Sequence, residues 1–193
     1  MVRSVDGRIV VLVSGSGTNM TALASACEEG RVPGAIVAVV ADRECGGIDR
    51  AAACGIPTAI CAPTSFDSRE DWSRALRDVV AEHRPDLVVS AGFMRILAPV
   101  FVDAFEGRLI NLHPALLPAF PGAHAVRDAL DHGVKVTGTT VHLIDHDVDH
   151  GRILFQVPVE VLPDDTEESL HERIKEAEHQ LLPEACRRLL ESL

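Results

Sequence analysis

The sequence predicts an α/β protein: a Rossmann-like, twisted and mostly parallel sheet with helices on both faces, and an antiparallel hairpin near the C-terminal end. Three observations carry this. Short apolar, β-branched runs alternate with helical patterns through the first part of the chain. A glycine-rich turn, Ser14-Gly15-Ser16-Gly17-Thr18-Asn19, joins the first strand run to the first helical run. Further on, two strand-like runs flank a polar turn, the spacing of a hairpin.

Residues 9–13 are continuously apolar, as in a strand buried on both faces. Residues 20–29 carry a helical pattern and 36–41 read as the second strand. Residues 48–54 form a helix that Gly55 ends, with Pro57 just beyond. A short third strand covers 58–61. Trp72, Leu76, Val79 and Val80 recur at helical spacing in an amphipathic helix over 68–83, with Asp67 or Ser68 as its cap. Strands follow at 86–91 and 109–113, then a short helix at 123–132. The hairpin strands are 138–144 and 153–161 around the turn 145–151. A helix over 167–190 closes the chain, and Pro183 is expected to break or kink it. No repeat, low-complexity run or linker interrupts the pattern, so residues 1–193 read as one domain, with a loose extension at 1–7.

The 193 residues suffice for a substantial core, and 47% hydrophobic with 24% charged residues is an ordinary globular balance. A net charge of −11 argues against a nucleic-acid partner, while leaving room for a pocket that takes one small anion. No apolar run approaches the length of a membrane span, and the first eight residues lack the apolar core of a signal peptide. Cys27, Cys45, Cys54, Cys61 and Cys186 are odd in number and contain no CxxC pair, which points to free thiols in a reducing cytoplasm. Cys45, Cys54 and Cys61 fit no common zinc spacing, so no metal is expected.

The glycine turn departs from the dinucleotide fingerprint. Met20 stands where a third glycine belongs, no Walker lysine follows, and only Asp42 could serve at the end of the second strand. Thr18 and Asn19 add side-chain donors at the helix start, which suits a terminal phosphate monoester. A tight βα turn with no ligand explains the same residues.

Asn111-Leu112-His113-Pro114 is the most informative stretch. Alternation along a strand turns Asn111 and His113 to one face, and Pro114 ends the strand. An amide donor and an imidazole thus sit at the C-terminal end of a buried strand, where open α/β sheets hold their ligands. The carboxylate partner for His113 is sought among His142, Asp145, His146, Asp147, Asp149 and His150. An amide aimed at a developing oxyanion and an imidazole paired with a carboxylate suit acyl transfer better than redox chemistry. A solvated turn and a hydrogen-bonded core histidine are the plain alternatives. Glu178 borders the apolar stripe of Leu170, Ile174, Ala177 and Leu181; its pattern alone reads as a snorkelling carboxylate or a partner of Arg173 or Lys175.

Taken in order, the glycine turn, Ala91-Gly92-Phe93-Met94-Arg95-Ile96-Leu97, Asn111-Leu112-His113-Pro114 with Leu116-Leu117-Pro118, and Gly138-Thr139-Thr140-Val141-His142 with Asp149 resemble the folate-dependent glycinamide ribonucleotide formyltransferases of purine synthesis. The resemblance covers nearly the whole chain, and four motifs in order are far more specific than any one. It implies transfer of the formyl group of 10-formyltetrahydrofolate to the amine of 5′-phosphoribosylglycinamide, with no metal. By this likeness Asn111, His113 and Asp149 are catalytic. Gly17, Thr18 and Asn19 hold the substrate phosphate, and Glu178 receives the amine, which reverses the plain reading of that residue. Arg69, Met94, Arg95, Ile96, Leu97, Asn111, Asp145, His146, Asp147, Val148 and Asp149 bind the folate, with Arg69 at its tail. Residues 8–100 become a phosphate-binding half and 101–193 a catalytic and folate-binding half. Leu117-Pro118 is implied to be cis. Certain members carry a second histidine where this chain has Val126, beside His124. A homodimer is left open.

Two other folate enzymes share the Asn-x-His core. Methionyl-tRNA formyltransferases add a C-terminal β-barrel and meet RNA; formyltetrahydrofolate hydrolases add an N-terminal regulatory domain. The acidic charge and the phosphate-type turn favour the ribonucleotide enzyme over both. A sugar-phosphate binding protein would explain the turn but not Asn111, His113 and Asp149, and a metal-dependent deacetylase is the remaining alternative.

Overall fold

The computed structural model describes residues 7–192. One seven-stranded sheet runs through them in the order β3-β2-β1-β4-β5-β6-β7. Its strands are β1 (Gly7–Val13), β2 (Gly34–Ala41), β3 (Thr58–Ile60), β4 (Leu87–Ser90), β5 (Leu109–His113), β6 (Val136–Leu143) and β7 (Ile153–Glu160). The first five pair in parallel; β6 and β7 pair antiparallel. The helices are α1 (Thr18–Glu28), α2 (Gly46–Ala53), α3 (Arg69–Glu82), α4 (Pro99–Val102), α5 (Ala125–His132) and α6 (Glu167–Glu191). The expected mixed sheet, including its C-terminal hairpin, is therefore present.

Alternation along β1 divides the core. Ile9, Val11 and Val13 face α1, α2 and α6 together with Met20, Leu23, Leu182 and Cys186. Val10 and Leu12 face the other way, onto Trp72, Leu76, Phe101 and Phe105 of the α3 and α4 side. Both sets are fully enclosed, so β1 must be apolar at every position from Ile9 to Val13. Ser68, and not Asp67, caps α3 by accepting the Asp71 N–H at 3.0 Å.

Several expectations are corrected. Gly7 already belongs to β1, its N–H donating to the Pro33 carbonyl at 3.1 Å, so it is no part of a loose extension. The rest of that extension, residues 1–6, lies outside the described residues. Helix α6 runs through Pro183 without a break. Leu181, Leu182, Ala185 and Cys186 pack into the core on both sides of the proline, and this burial outweighs the one lost hydrogen bond. Helix α1 begins two residues earlier than its apolar pattern, directly after Gly17. Helix α4 and the 3-10 turn Asp103–Phe105 had no counterpart in the sequence reading, being too short to show a period. Val126 packs with Val159, Leu170 and Ile174 in a small separate cluster.

The turn after β1 is tight for a packing reason. Gly17 caps α1 in the left-handed region at φ 75°, and a Cβ there would come within 2.5 Å of the Gly47 Cα. The Gly47 N–H in turn donates to the Gly15 carbonyl at 2.9 Å. Gly17→Ala is expected to cost about 2 kcal/mol or more, combining left-handed strain with a backbone clash. Urea denaturation checks this; an unchanged midpoint would contradict it.

Candidate active site

Strand β5 is the border between the parallel and antiparallel parts of the sheet. Its register with β6 sets Asn111 opposite His142 and His113 opposite Thr140. The Thr140 hydroxyl donates to the Ala115 carbonyl at 2.6 Å and accepts the Leu117 N–H at 3.1 Å, fastening the segment after β5 to the sheet. The Leu117–Pro118 peptide within it is cis.

His113 is buried, and the loop between β6 and β7 brings Asp149 to it: His113 Nδ1 lies 3.4 Å from Asp149 Oδ2. Asp149 adopts φ 56°, a strained value for a non-glycine residue. The Gly122 N–H donates to the same Oδ2 at 2.8 Å. On the far side of the ring, His113 Nε2 meets the Phe120 carbonyl at 2.8 Å. Burial pushes the His113 imidazole below its ordinary pKa, and the Phe120 carbonyl and Asp149 pull it back only in part. His142, the Gly122 N–H and His113 hold the Asp149 carboxyl down at about 2, against the opposing effect of burial.

His142 was only one of several candidates in the sequence, and register is what selects it. Its Nε2 lies 3.2 Å from Asn111 Nδ2 and 3.6 Å from Asp149 Oδ1, while its Nδ1 meets the Leu143 carbonyl at 2.9 Å. The last contact places a proton on Nδ1, and Nε2 faces both the Asn111 amide and the Asp149 carboxylate. One Asn111 N–H is thereby used to orient the group, and the other is free for a ligand.

These residues line a cavity of about 510 Å³, within the range of small-molecule sites. Met94, Arg95, Ile96, Leu97, Asn111, His113, Asp145, His146, Asp147, Val148 and Asp149 all contribute to its wall. Met94 at 67%, Ile96 at 56% and Val148 at 51% exposure are apolar side chains left uncovered at its rim, the arrangement expected where a flat apolar ligand enters. Arg69 does not reach it. It lines an adjoining groove of about 440 Å³ with Phe66 and Trp72, and Met94, Arg95 and Ile96 form the wall shared by both.

The Arg95 guanidinium is turned away to Asp42, with Nε 2.6 Å from Oδ2. Burial alone would raise the Asp42 carboxyl, but Arg43, Arg95 and Ser14 together hold it below its ordinary value. Asp42 is thus consumed in fixing the 91–97 loop against the end of β2 and is not available to a ribose. His146 is paired outward, 2.7 Å from Asp103 Oδ1, which raises its pKa and ties the 145–149 loop to the 3-10 turn.

Gly17, Thr18 and Asn19 form the start of α1, whose first backbone bond runs from the Thr21 N–H to the Gly17 carbonyl. The preceding N–H groups have no partner within the helix, a donor set able to take an anion as its seat. The Asn19 side chain does not add to that seat. Its Nδ2 donates to Glu178 Oε2 at 2.8 Å, and its Oδ1 is buried without a partner. Glu178, only 5% exposed, lies beside Thr139, whose hydroxyl donates to the His113 carbonyl at 3.2 Å. The glycine turn, Glu178, Thr139 and His113 are therefore neighbours in that order. Burial raises the Glu178 pKa, against the effect of Asn19, Lys175 and Thr139.

A family model described as formyl transferase matches residues 7–186. The chain belongs to the formyl transferase family. It is 52% identical over 179 residues to a phosphoribosylglycinamide formyltransferase of Mycobacterium tuberculosis strain H37Rv, spanning 93% of this chain and 83% of that protein. It is 41% identical over 176 residues to the phosphoribosylglycinamide formyltransferase of Escherichia coli K12, spanning 91% and 83%. The crystal structure of glycinamide ribonucleotide transformylase 1 from Symbiobacterium toebii superposes with a TM-score of 0.96 at 44% identity, over 97% of this formyl transferase and 89% of that chain. Among the described residues, no group of three or more His, Cys, Asp or Glu is arranged to hold a metal ion, and no helix is long and apolar enough to cross a membrane. All five cysteines are unpaired.

Glu178 yields a stability test. A carboxyl whose folded-state pKa is raised contributes fully below its unfolded pKa, and the contribution is lost as pH rises through the folded value. Glu178→Gln is therefore expected to melt higher than wild type above neutral pH, by roughly 2–4 °C for each kcal/mol recovered, with the difference vanishing in acid. Thermal melts at pH 5 and pH 8 check this; a variant no more stable at pH 8 would contradict it.

Proposed function

We propose that this formyl transferase moves the formyl group of 10-formyltetrahydrofolate to the glycinamide amine of 5′-phosphoribosylglycinamide in purine synthesis. The observation that carries the reading is the succession of polar groups from the glycine turn through Glu178 and Thr139 to His113, which leads from the start of α1 to a residue lining the 510 Å³ cavity. A substrate with a phosphate at one end and an amine near the other fits that succession. The flat pteridine fits the cavity, between residues 94–97 and the loop 145–149. The tail of the folate then leaves along the groove past Arg69. The names of the relatives given above support phosphoribosylglycinamide as the formyl acceptor.

The phosphate sits on the N–H groups at the start of α1, around Gly17, Thr18 and Asn19. Glu178 and the unpaired Asn19 Oδ1 are two acceptors side by side, suited to the donors of the amine. The amine nitrogen attacks the formyl carbon. The free Asn111 N–H and a protonated His113 Nδ1 stabilise the oxygen of the tetrahedral intermediate. Asp149, ionised throughout the neutral range, stabilises the imidazolium and assists movement of the amine proton to N10 of the folate through water. The bond from carbon to N10 breaks, releasing tetrahydrofolate and the formylated amide. The enzyme works in a reducing cytoplasm, where five free thiols persist.

The direct test mixes the protein with both substrates, follows the folate absorbance, and omits each in turn. Turnover is expected only with both. Turnover without the ribotide would favour a hydrolase, and none with both would overturn the proposal. His113→Ala is expected to lower kcat by about 10²- to 10⁴-fold, and Asn111→Ala by about 10²- to 10³-fold. Steady-state kinetics check both; a His113→Ala enzyme with unchanged kcat would overturn the catalytic assignment.

A further inference from the structure

We propose that the turn Phe120-Pro121-Gly122 is a positioning element for the reacting pair: one backbone carbonyl and one backbone N–H, two residues apart, hold His113 and Asp149 in register. The proposal deepens the reading of His113 and Asp149 as catalytic and rests on it.

The geometry is specific. The Phe120 carbonyl lies 2.8 Å from His113 Nε2, and the Gly122 N–H lies 2.8 Å from Asp149 Oδ2. That same Oδ2 is the atom 3.4 Å from His113 Nδ1. Both contacts need left-handed backbone, with Phe120 at φ 53° and Gly122 at φ 95°. Among the described residues the positive-φ non-glycines are Arg84, Phe120 and Asp149, and the last two both touch His113. Such strain persists only where the surroundings hold it in place. At Phe120 the surroundings include α5, whose His132 ring meets the Phe120 ring edge-on at 5.8 Å.

The turn also separates the two ring nitrogens. His113, Gly122 and Asp149 line the cavity, whereas Phe120 does not. Its carbonyl therefore takes Nε2 on the side away from the cavity and leaves Nδ1 on the reacting side. A neutral His113 carries its one proton on Nε2, and its Nδ1 lone pair faces Asp149. A second proton, arriving at Nδ1, is met by the carboxylate and is presented to the cavity. A single turn thus decides which nitrogen exchanges protons with the reaction.

The groups facing His113 are Asp149 from the β6–β7 loop and His142 from β6, and those facing Asp149 are His142 and His113. The Phe120 carbonyl raises the His113 pKa and the Gly122 N–H lowers that of Asp149. Loosening the turn moves the two in opposite senses, so the pH window of kcat narrows from both sides.

Two-bond proton–nitrogen NMR on histidine-labelled protein reads the tautomer directly. The Nε2–H form of neutral His113 is expected, and an Nδ1–H form would overturn the proposal. His132 is exposed, so His132→Ala removes the ring contact without opening the core. It is expected to lower kcat by about 2- to 12-fold, the loss of one aromatic pair, with KM for both substrates within about twofold and a narrower pH profile. His132→Phe keeps an aromatic edge there and is expected to restore both; Phe120→Ala is expected to behave as His132→Ala does. A His132→Ala or Phe120→Ala enzyme with lower stability but an unchanged pH profile would reduce the turn to plain structure and overturn the proposal. The tautomer is read without substrate, so wild-type protein with the Nε2–H form and no turnover would sink the proposed reaction alone.

Discussion

The whole site depends on the change of direction at β5. Parallel pairing with β4 sets the C-terminal end of β5 among the other strand ends, where an open sheet leaves a crevice. Antiparallel pairing with β6 then runs a second strand back past the same residues. Only that reversal sets His142 across from Asn111 and Thr140 across from His113. It also makes the β6–β7 connection turn at the level of the imidazole, so that Asp149 closes over it. A further parallel strand in place of β6 would have carried its polar residues away from the crevice.

Around this border the protein spends backbone strain sparingly and in one place. Phe120 and Asp149 are both left-handed, and both serve His113. The imidazole gains a partner on each nitrogen, and the carboxylate gains a backbone N–H. Burial resists charging the ring, while the surroundings favour a charged carboxylate. The imidazole takes a second proton against the effect of burial, and the carboxylate beside Nδ1 is what meets that proton. Glu178 follows the opposite logic, since burial disfavours its charge by more than Asn19, Lys175 and Thr139 favour it. An incoming amine would supply a further cation.

The charges at the end of β2 are structural. Arg95 and Arg43 are both held by Asp42, which fixes the loop whose apolar residues wall the cavity. The residue that the dinucleotide pattern would assign to a ribose is thereby bound to the protein itself. The glycine turn is likewise joined to the protein through Asn19 and Glu178, and not through the end of β2.

Local chemistry made much of this legible in the sequence alone. Apolar runs require buried strands, glycine permits the turn at residues 14–17, and strand alternation turns Asn111 and His113 to one side. Each depends on neighbours within a few residues. The continuity of α6 through Pro183, the early start of α1 and the diversion of Asn19 to Glu178 did not follow from spacing, because each is decided by partners distant in the chain. The order of motifs singled out Asp149, but spacing alone left it level with Asp145 and Asp147; the contact of Asp149 with His113, the recruitment of His142, and the Phe120 carbonyl behind His113 belong to the tertiary structure. They depend on strand register and on left-handed backbone, and several sequences of Asp and His in a turn would have served equally well until the sheet selected one.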